Sequence, residues 1–191
     1  MTRKEVRRLV EERLSWGYSR QQVFDELRLQ GTGLKDARLA ELIRYRPSLQ
    51  ARERYGRLNN VLLGLIVAYG LIQLLRPLLA GPWEQPSAYR LLTILPIATV
   101  FLGYAVYRFR GEAYTWLALI NLWSSLAILR GLTHVKDADP DPWTIAKRVL
   151  SLAIAGLALY LANRLFPRPK KERDPLGEGA VRFVFPPDGI R

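Results

Sequence analysis

From Leu58 to Leu75 the chain reads LNNVLLGLIVAYGLIQLL, eighteen residues without a charge. A helix of that length, at about 1.5 Å per residue, nearly crosses a hydrocarbon core of about 30 Å. Three comparable apolar stretches follow, at 91–109, 113–129 and 149–166, with the polar residues gathered before, between and after them. The pattern predicts an all-α integral membrane protein with a four-helix transmembrane bundle over 58–166.

Upstream of the bundle, apolar residues recur at helical spacing instead of in long runs. Thr2 and Glu5 form a T-x-x-E capping box ahead of Val6, Leu9, Val10 and Leu14. Ser19 and Gln22 form a second box ahead of Val23, Phe24 and Leu27. Gly17 and the Gly31–Gly33 segment break these helices. A third helix is expected from about Leu34 to Arg46, burying Ala37, Leu39, Leu42 and Ile43 until Pro47 stops it. Residues 1–47 thus read as a small cytosolic three-helix module, and 48–57 as a basic juxtamembrane linker. Residues 167–191 read as a cytosolic tail, flexible or strand-like. In that tail Val181, Phe183 and Phe185 alternate with Arg182 and Val184, a strand pattern for which the chain offers no second strand to pair with.

The connections between spans carry their own signals. Gly81, Pro82 and Pro86 mark the first loop, with Trp83 and Tyr89 suited to a membrane interface. Pro96 is expected to bend span two. The short turn Arg108–Glu112 makes a tight hairpin of spans two and three, and Arg130–Thr144 forms a second polar loop. Small residues four apart (Gly64 and Ala68, Thr99 and Gly103, Ser151 and Ala155, Ala158 and Ala162) predict close helix packing. The partner helix can belong to the same chain or to a second copy in a homo-oligomer.

Charge supplies an orientation. Residues 1–57 hold fourteen Lys/Arg against eight Asp/Glu, and the whole chain carries a net charge of +12. With the N-terminus inside, twelve Lys/Arg near span ends lie inside and six outside, which favours both termini in the cytoplasm. Lys147 and Arg148 fit least well and are expected to snorkel to the outer interface. Arg52, Arg54 and Arg57, directly before the first span, are a candidate lipid-headgroup anchor on the anionic cytoplasmic leaflet. The opening MTRKEVRRLV is charged throughout, unlike a secretory signal.

Candidate chemistry is sparse. The chain has no cysteine, hence no disulfide or thiolate nucleophile, and no Ser-His-Asp set, H-E-x-x-H or P-loop pattern. Asp137, Asp139 and Asp141 beside His134 resemble the start of a calcium loop, but the sixth position is Pro142 and the twelfth Arg148. Asp141 and Pro142 instead suit the start of a helix. Neither a cofactor nor a metal site is expected. Asn121, Ser124 and Ser125 form a candidate intramembrane polar site, which suits an interhelical hydrogen bond better than a solute path. Arg28, Lys35, Arg38 and Arg44 invite a helix-turn-helix reading, but acidic residues interleave with them and argue against nucleic acid. The expected function is a non-enzymatic inner-membrane interaction or accessory protein, multi-pass, which binds a protein partner through the N-terminal module or the C-terminal strand. The alternative is a small oligomeric channel or transporter lined by the span-three polar residues.

Overall fold

The computed structural model describes residues 1–79, 97–134, 142–173 and 181–187, of which 76–79, 127–134 and 173 are described by their backbone alone. The chain is mostly helical there: α1 (Arg3–Ser15), α2 (Arg20–Leu29), α3 (Asp36–Arg44), α4 (Leu49–Leu79), α5 (Ile97–Tyr107), α6 (Gly111–His134) and α7 (Pro142–Leu165). Strands β1 (Lys170–Arg173) and β2 (Val181–Val184) follow. Among the described residues, two helices are long and apolar enough to cross a membrane, over Leu49–Leu75 and Pro142–Leu165. Pro96, the first loop, Asp137, Asp139, Asp141 and Gly177–Gly179 lie outside the described residues, as does the side chain of His134.

The contacts divide the chain into two compact units. The first comprises 1–57, 109–112 and 161–191; the second comprises 58–108 and 113–160.

In the first unit the local signals operate as their chemistry requires. Thr2 and Ser19 both close reciprocal capping boxes, with Glu5 and Gln22 bonding back to the cap backbone. Gly17 follows α1 at φ 90°, a left-handed conformation that side chains resist. Helix α3 buries Leu39, Ala40 and Ile43, while the expected Ala37 is exposed and Leu42 only half-buried. The stretch 49–57 is helical and continuous with the apolar part of α4. Ser48 Oγ accepts a hydrogen bond from the Ala51 N–H at 3.4 Å, and Leu, Gln, Ala, Glu and Arg all favour continuation of α4.

The tail differs from the sequence expectation. β2 has a partner: it pairs antiparallel with β1, Lys171 opposite Phe183 and Lys170 opposite Val184. Phe183 and Phe185 then enter the same core as Val6, Val10, Leu14, Val23, Phe24, Leu27, Leu39, Ala40 and Ile43. Their rings lie 6.1 and 6.0 Å from that of Phe24, in edge and tilted arrangements respectively, which suit aromatic quadrupoles. Gln21 Oε1 accepts the Phe185 N–H at 2.9 Å, and Asp25 pairs with Arg182 at 3.3 Å. Three helices of this size bury little area alone. The hairpin supplies the missing side of the core.

In the second unit the buried stripes mix aliphatic residues with small and polar ones. They comprise Asn59, Leu62 and Ile66 on α4; Ala113, Tyr114, Leu117, Ala118, Asn121 and Ser125 on α6; and Ser151, Ile154, Ala155 and Ala158 on α7. The opposite faces carry exposed Val61, Val67, Phe101, Trp116, Ile120, Trp123 and Leu152. Among the small pairs, Gly103 faces a neighbour: a Cβ there would stand in ordinary van der Waals contact, 3.4 Å from Ile66 Cγ2. Gly64 is not: among the described residues a Cβ there would meet nothing within 4 Å. Four-residue spacing marks a helix face without saying which face meets a neighbour.

Candidate functional site

Within the second unit, the polar residues close on one another. Asn121 is buried, and its Nδ2 donates to the Leu117 carbonyl at 2.8 Å. Ser151 Oγ on α7 lies 2.9 Å from Asn121 Oδ1 and 3.1 Å from the Asn121 carbonyl, so its single proton serves one or the other. Ser125 Oγ donates to the Asn121 carbonyl at 2.8 Å. Ser124 is half-buried and stands outside this set, whose third member is Ser151. The hydrogen-bonding capacity of Asn121 and Ser125 is thus turned inward, as a tie between α6 and α7. A second tie joins Tyr114 to α4, its hydroxyl donating to Asn59 Oδ1 at 2.6 Å. No sequence signal singled out Tyr114, which is fully buried. Lys147, expected to snorkel, lies half-buried with its ammonium 5.6 Å from the Tyr69 ring.

In the first unit the arginines have three distinct employments. Some cap a helix. Buried Arg20 donates to the carbonyls of Leu165, at 2.5 Å, and Arg46, at 3.3 Å, and Arg44 donates to the Phe166 carbonyl at 3.3 Å. The C-terminus of α7 leaves carbonyls unpaired and carries the negative end of the helix dipole, so cations belong there. Others form ion pairs, Arg13 with Glu26 at 2.8 Å and Arg28 with Asp36 at 3.1 Å. The residues that suggested a helix-turn-helix are thereby dispersed: Arg28 is paired, Arg44 is a cap, and Lys35 and Arg38 remain exposed. Of the proposed headgroup anchor, Arg52 stands over the Phe109 ring at 5.7 Å, Arg54 over Tyr55 at 5.7 Å, and Arg57 is exposed.

The third group lines a cleft of about 270 Å³. Arg3 and Arg7 reach it from α1, Arg38 from α3, Arg46 from just beyond α3, and Arg110 from the turn before α6. Glu41 and Glu112 are the acidic residues of its lining. The turn is seated firmly. Phe109 holds a left-handed φ of 51°, and Gly111 lies so close to the Tyr45 and Phe166 rings that a Cβ would fall 2.8 and 3.0 Å from them. Arg46 is tied to Glu11 at 2.5 Å. Burial pushes its pKa below the ordinary arginine value, Glu11 opposes that, and Arg7, Arg110 and Arg52 lower it further. No sequence motif announces this cleft. The one local hint is the i, i+4 spacing of Arg3 and Arg7 on a single helix face.

The chain matches no known protein family, no curated protein and no solved structure.

Proposed function

We propose that this chain is a non-enzymatic, multi-pass protein of the cytoplasmic (inner) membrane whose extramembrane domain recruits a protein partner to a four-helix anchor. The observation that carries the reading is the make-up of the first unit, in which the N-terminal helices, the 109–112 turn and the C-terminal hairpin belong together. The chain leaves that unit after Arg57 and is back at Phe109, then leaves after Glu112 and is back by Leu161. Any membrane crossed on either excursion must be crossed an even number of times. Two apolar excursions, each out and back, make four spans.

The outward faces of the second unit support burial in lipid. Large apolar side chains such as Trp123, 73% exposed, would be costly in water and are ordinary against acyl chains. Polarity supports the cytoplasmic side for the first unit, which holds twenty-two Lys/Arg against thirteen Asp/Glu. For the partner, the support is a charged domain surface that nonetheless displays Trp16 and Leu29, the latter 88% exposed.

The chain has no cysteine, so single cysteines report topology without background. Ser87→Cys and Asp139→Cys are expected to react with a membrane-impermeant maleimide on intact cells. Ser15→Cys and Gly179→Cys are expected to react only after permeabilisation. Labelling of Asp139→Cys from the cytoplasmic side alone would overturn the four-span reading. Copurification in mild detergent tests the recruiting role, with Trp16→Ala combined with Leu29→Ala expected to lose the bound protein. Capture that survives both this pair and the core-breaking Phe24→Asp would locate the interaction in the second unit instead.

A further inference from the structure

We propose that the cleft formed by α1, α3 and the Arg110–Glu112 turn binds a phosphate group, and that the natural source of that group is the headgroup of an anionic phospholipid. Five guanidinium groups line the cleft against two carboxylates, and Glu11 is occupied by Arg46. Arg3, Arg7, Arg38 and Arg110 have no ion-pair partner among the described residues, whereas Arg13, Arg28, Arg46 and Arg182 each have one. The cleft therefore keeps an uncompensated positive charge, and the downward push of Arg7 and Arg110 on Arg46 has the same origin. An anion seated there would relieve that repulsion.

Phosphate suits the arrangement better than a lone carboxylate. Several planar forks approach from separate elements, and a phosphate offers more oxygens and more charge to share among them. The space, about 270 Å³, exceeds the roughly 30 Å³ share of a single water many times over. The site is also braced: Tyr45 and Phe166 pack on Gly111, and Glu11 holds Arg46. Arg110 stands three residues beyond the end of α5 and one before the start of α6. In the membrane reading this is the cytoplasmic mouth of a helical hairpin, at headgroup depth. The lipid source rests on that reading; the phosphate chemistry does not.

Two arms separate the sources, both on the full chain. In an uncharged detergent, titration with inorganic phosphate at constant ionic strength is followed by calorimetry. In nanodiscs of phosphatidylcholine, with and without phosphatidic acid, thermal unfolding and native mass spectrometry report retained lipid. Wild type is expected to bind inorganic phosphate weakly, to be stabilised by phosphatidic acid, and to carry that lipid into the gas phase. Arg110→Gln is expected to weaken both by about tenfold, the loss of one charged fork, and Arg7→Gln combined with Arg38→Gln by more than that. Arg8→Gln combined with Lys35→Gln removes as much charge from exposed positions outside the cleft and is expected to leave binding unchanged. Equal losses from the two pairs would reduce the effect to general surface charge and overturn the site. Absence of binding in both arms would overturn it outright. Phosphate binding without preference for phosphatidic acid would overturn the lipid half. Should the protein be washed from membranes by alkaline carbonate, the membrane reading fails, while the detergent arm still judges the cleft.

Discussion

The two units of this chain solve opposite packing problems with the same secondary structure. In the first, the interior is apolar and aromatic, with Phe24, Phe183 and Phe185 in contact, and the surface is charged. In the second, Ala, Ser, Asn and a hydrogen-bonded Tyr share the interior with Leu62, Ile66, Leu117 and Ile154, while Trp116, Trp123, Phe101, Val61 and Val67 point outward. Water rewards the first arrangement by excluding apolar surface. A lipid-like surrounding gives no such reward, so helices there associate through close approach and hydrogen bonds. The contrast says where each kind of substitution should hurt.

The sharpest break is a core aromatic against a surface one. Phe24→Ala is expected to cost the first unit about 3–5 kcal/mol, a large share of what a small domain has. Trp123→Ala, the larger truncation by volume, is expected to leave folding in detergent unchanged. Limited proteolysis of the N-terminal segment against denaturant compares them, and equal sensitivity would erase the distinction between units. Because Phe183 and Phe185 pack on Phe24, removing residues 181–191 should release the same segment.

Glycine gives the next contrast. At Gly111 a methyl would push into Tyr45 and Phe166, so Gly111→Ala is expected to destabilise by about 1–3 kcal/mol. At Gly64 the methyl meets open space inside a helix, so Gly64→Ala is expected to be neutral or to gain up to about 1 kcal/mol. Thermal unfolding in detergent ranks the pair, and the reverse order would show that the turn is not seated as described.

The hydrogen-bond tie between α6 and α7 should count for less. Ser151→Ala is expected to cost about 0.6–2 kcal/mol, by leaving Asn121 Oδ1 without its donor. Combined with Asn121→Leu the losses should fall short of their sum, since one interaction is removed twice. Strict additivity would deny the tie.

The smallest effect lies at the start of α1. The Thr2 backbone N–H bonds Glu5 Oε2 at 2.7 Å, and with the Thr2 side-chain hydrogen bond it holds the Glu5 carboxyl below the ordinary glutamate value. A depressed acid stabilises the folded form above its unfolded pKa, and the contribution disappears as pH falls through the folded value. The protection factors of the amides over Arg3–Val6 should therefore fall on acidification below about pH 4.3, and Glu5→Gln should remove that dependence.

The sequence by itself determined whatever is local. Capping boxes at Thr2 and Ser19, breaks at Gly17 and Gly31–Gly33, and the apolar lengths of α4 and α7 each depend on residues a few positions apart, so periodicity and composition expose them. Tertiary structure alone decided which surfaces meet. Lys170–Arg173 is a strand made only of charged residues, with no alternation to betray it, so β2 looked unpaired. Asp25 and Arg182 are 157 residues apart, and nothing in either neighbourhood names the other. Which residue Asn121 meets, Ser151 on the facing helix, was set by packing across 30 residues of sequence. The arginine cleft belongs to the same class: Arg7, Arg38 and Arg110 carry ordinary surface charge until three separated segments fold into one unit and bring them to one opening. Helix and cap energies act within a few residues of the chain. Packing and electrostatics act through space, where sequence distance carries no information.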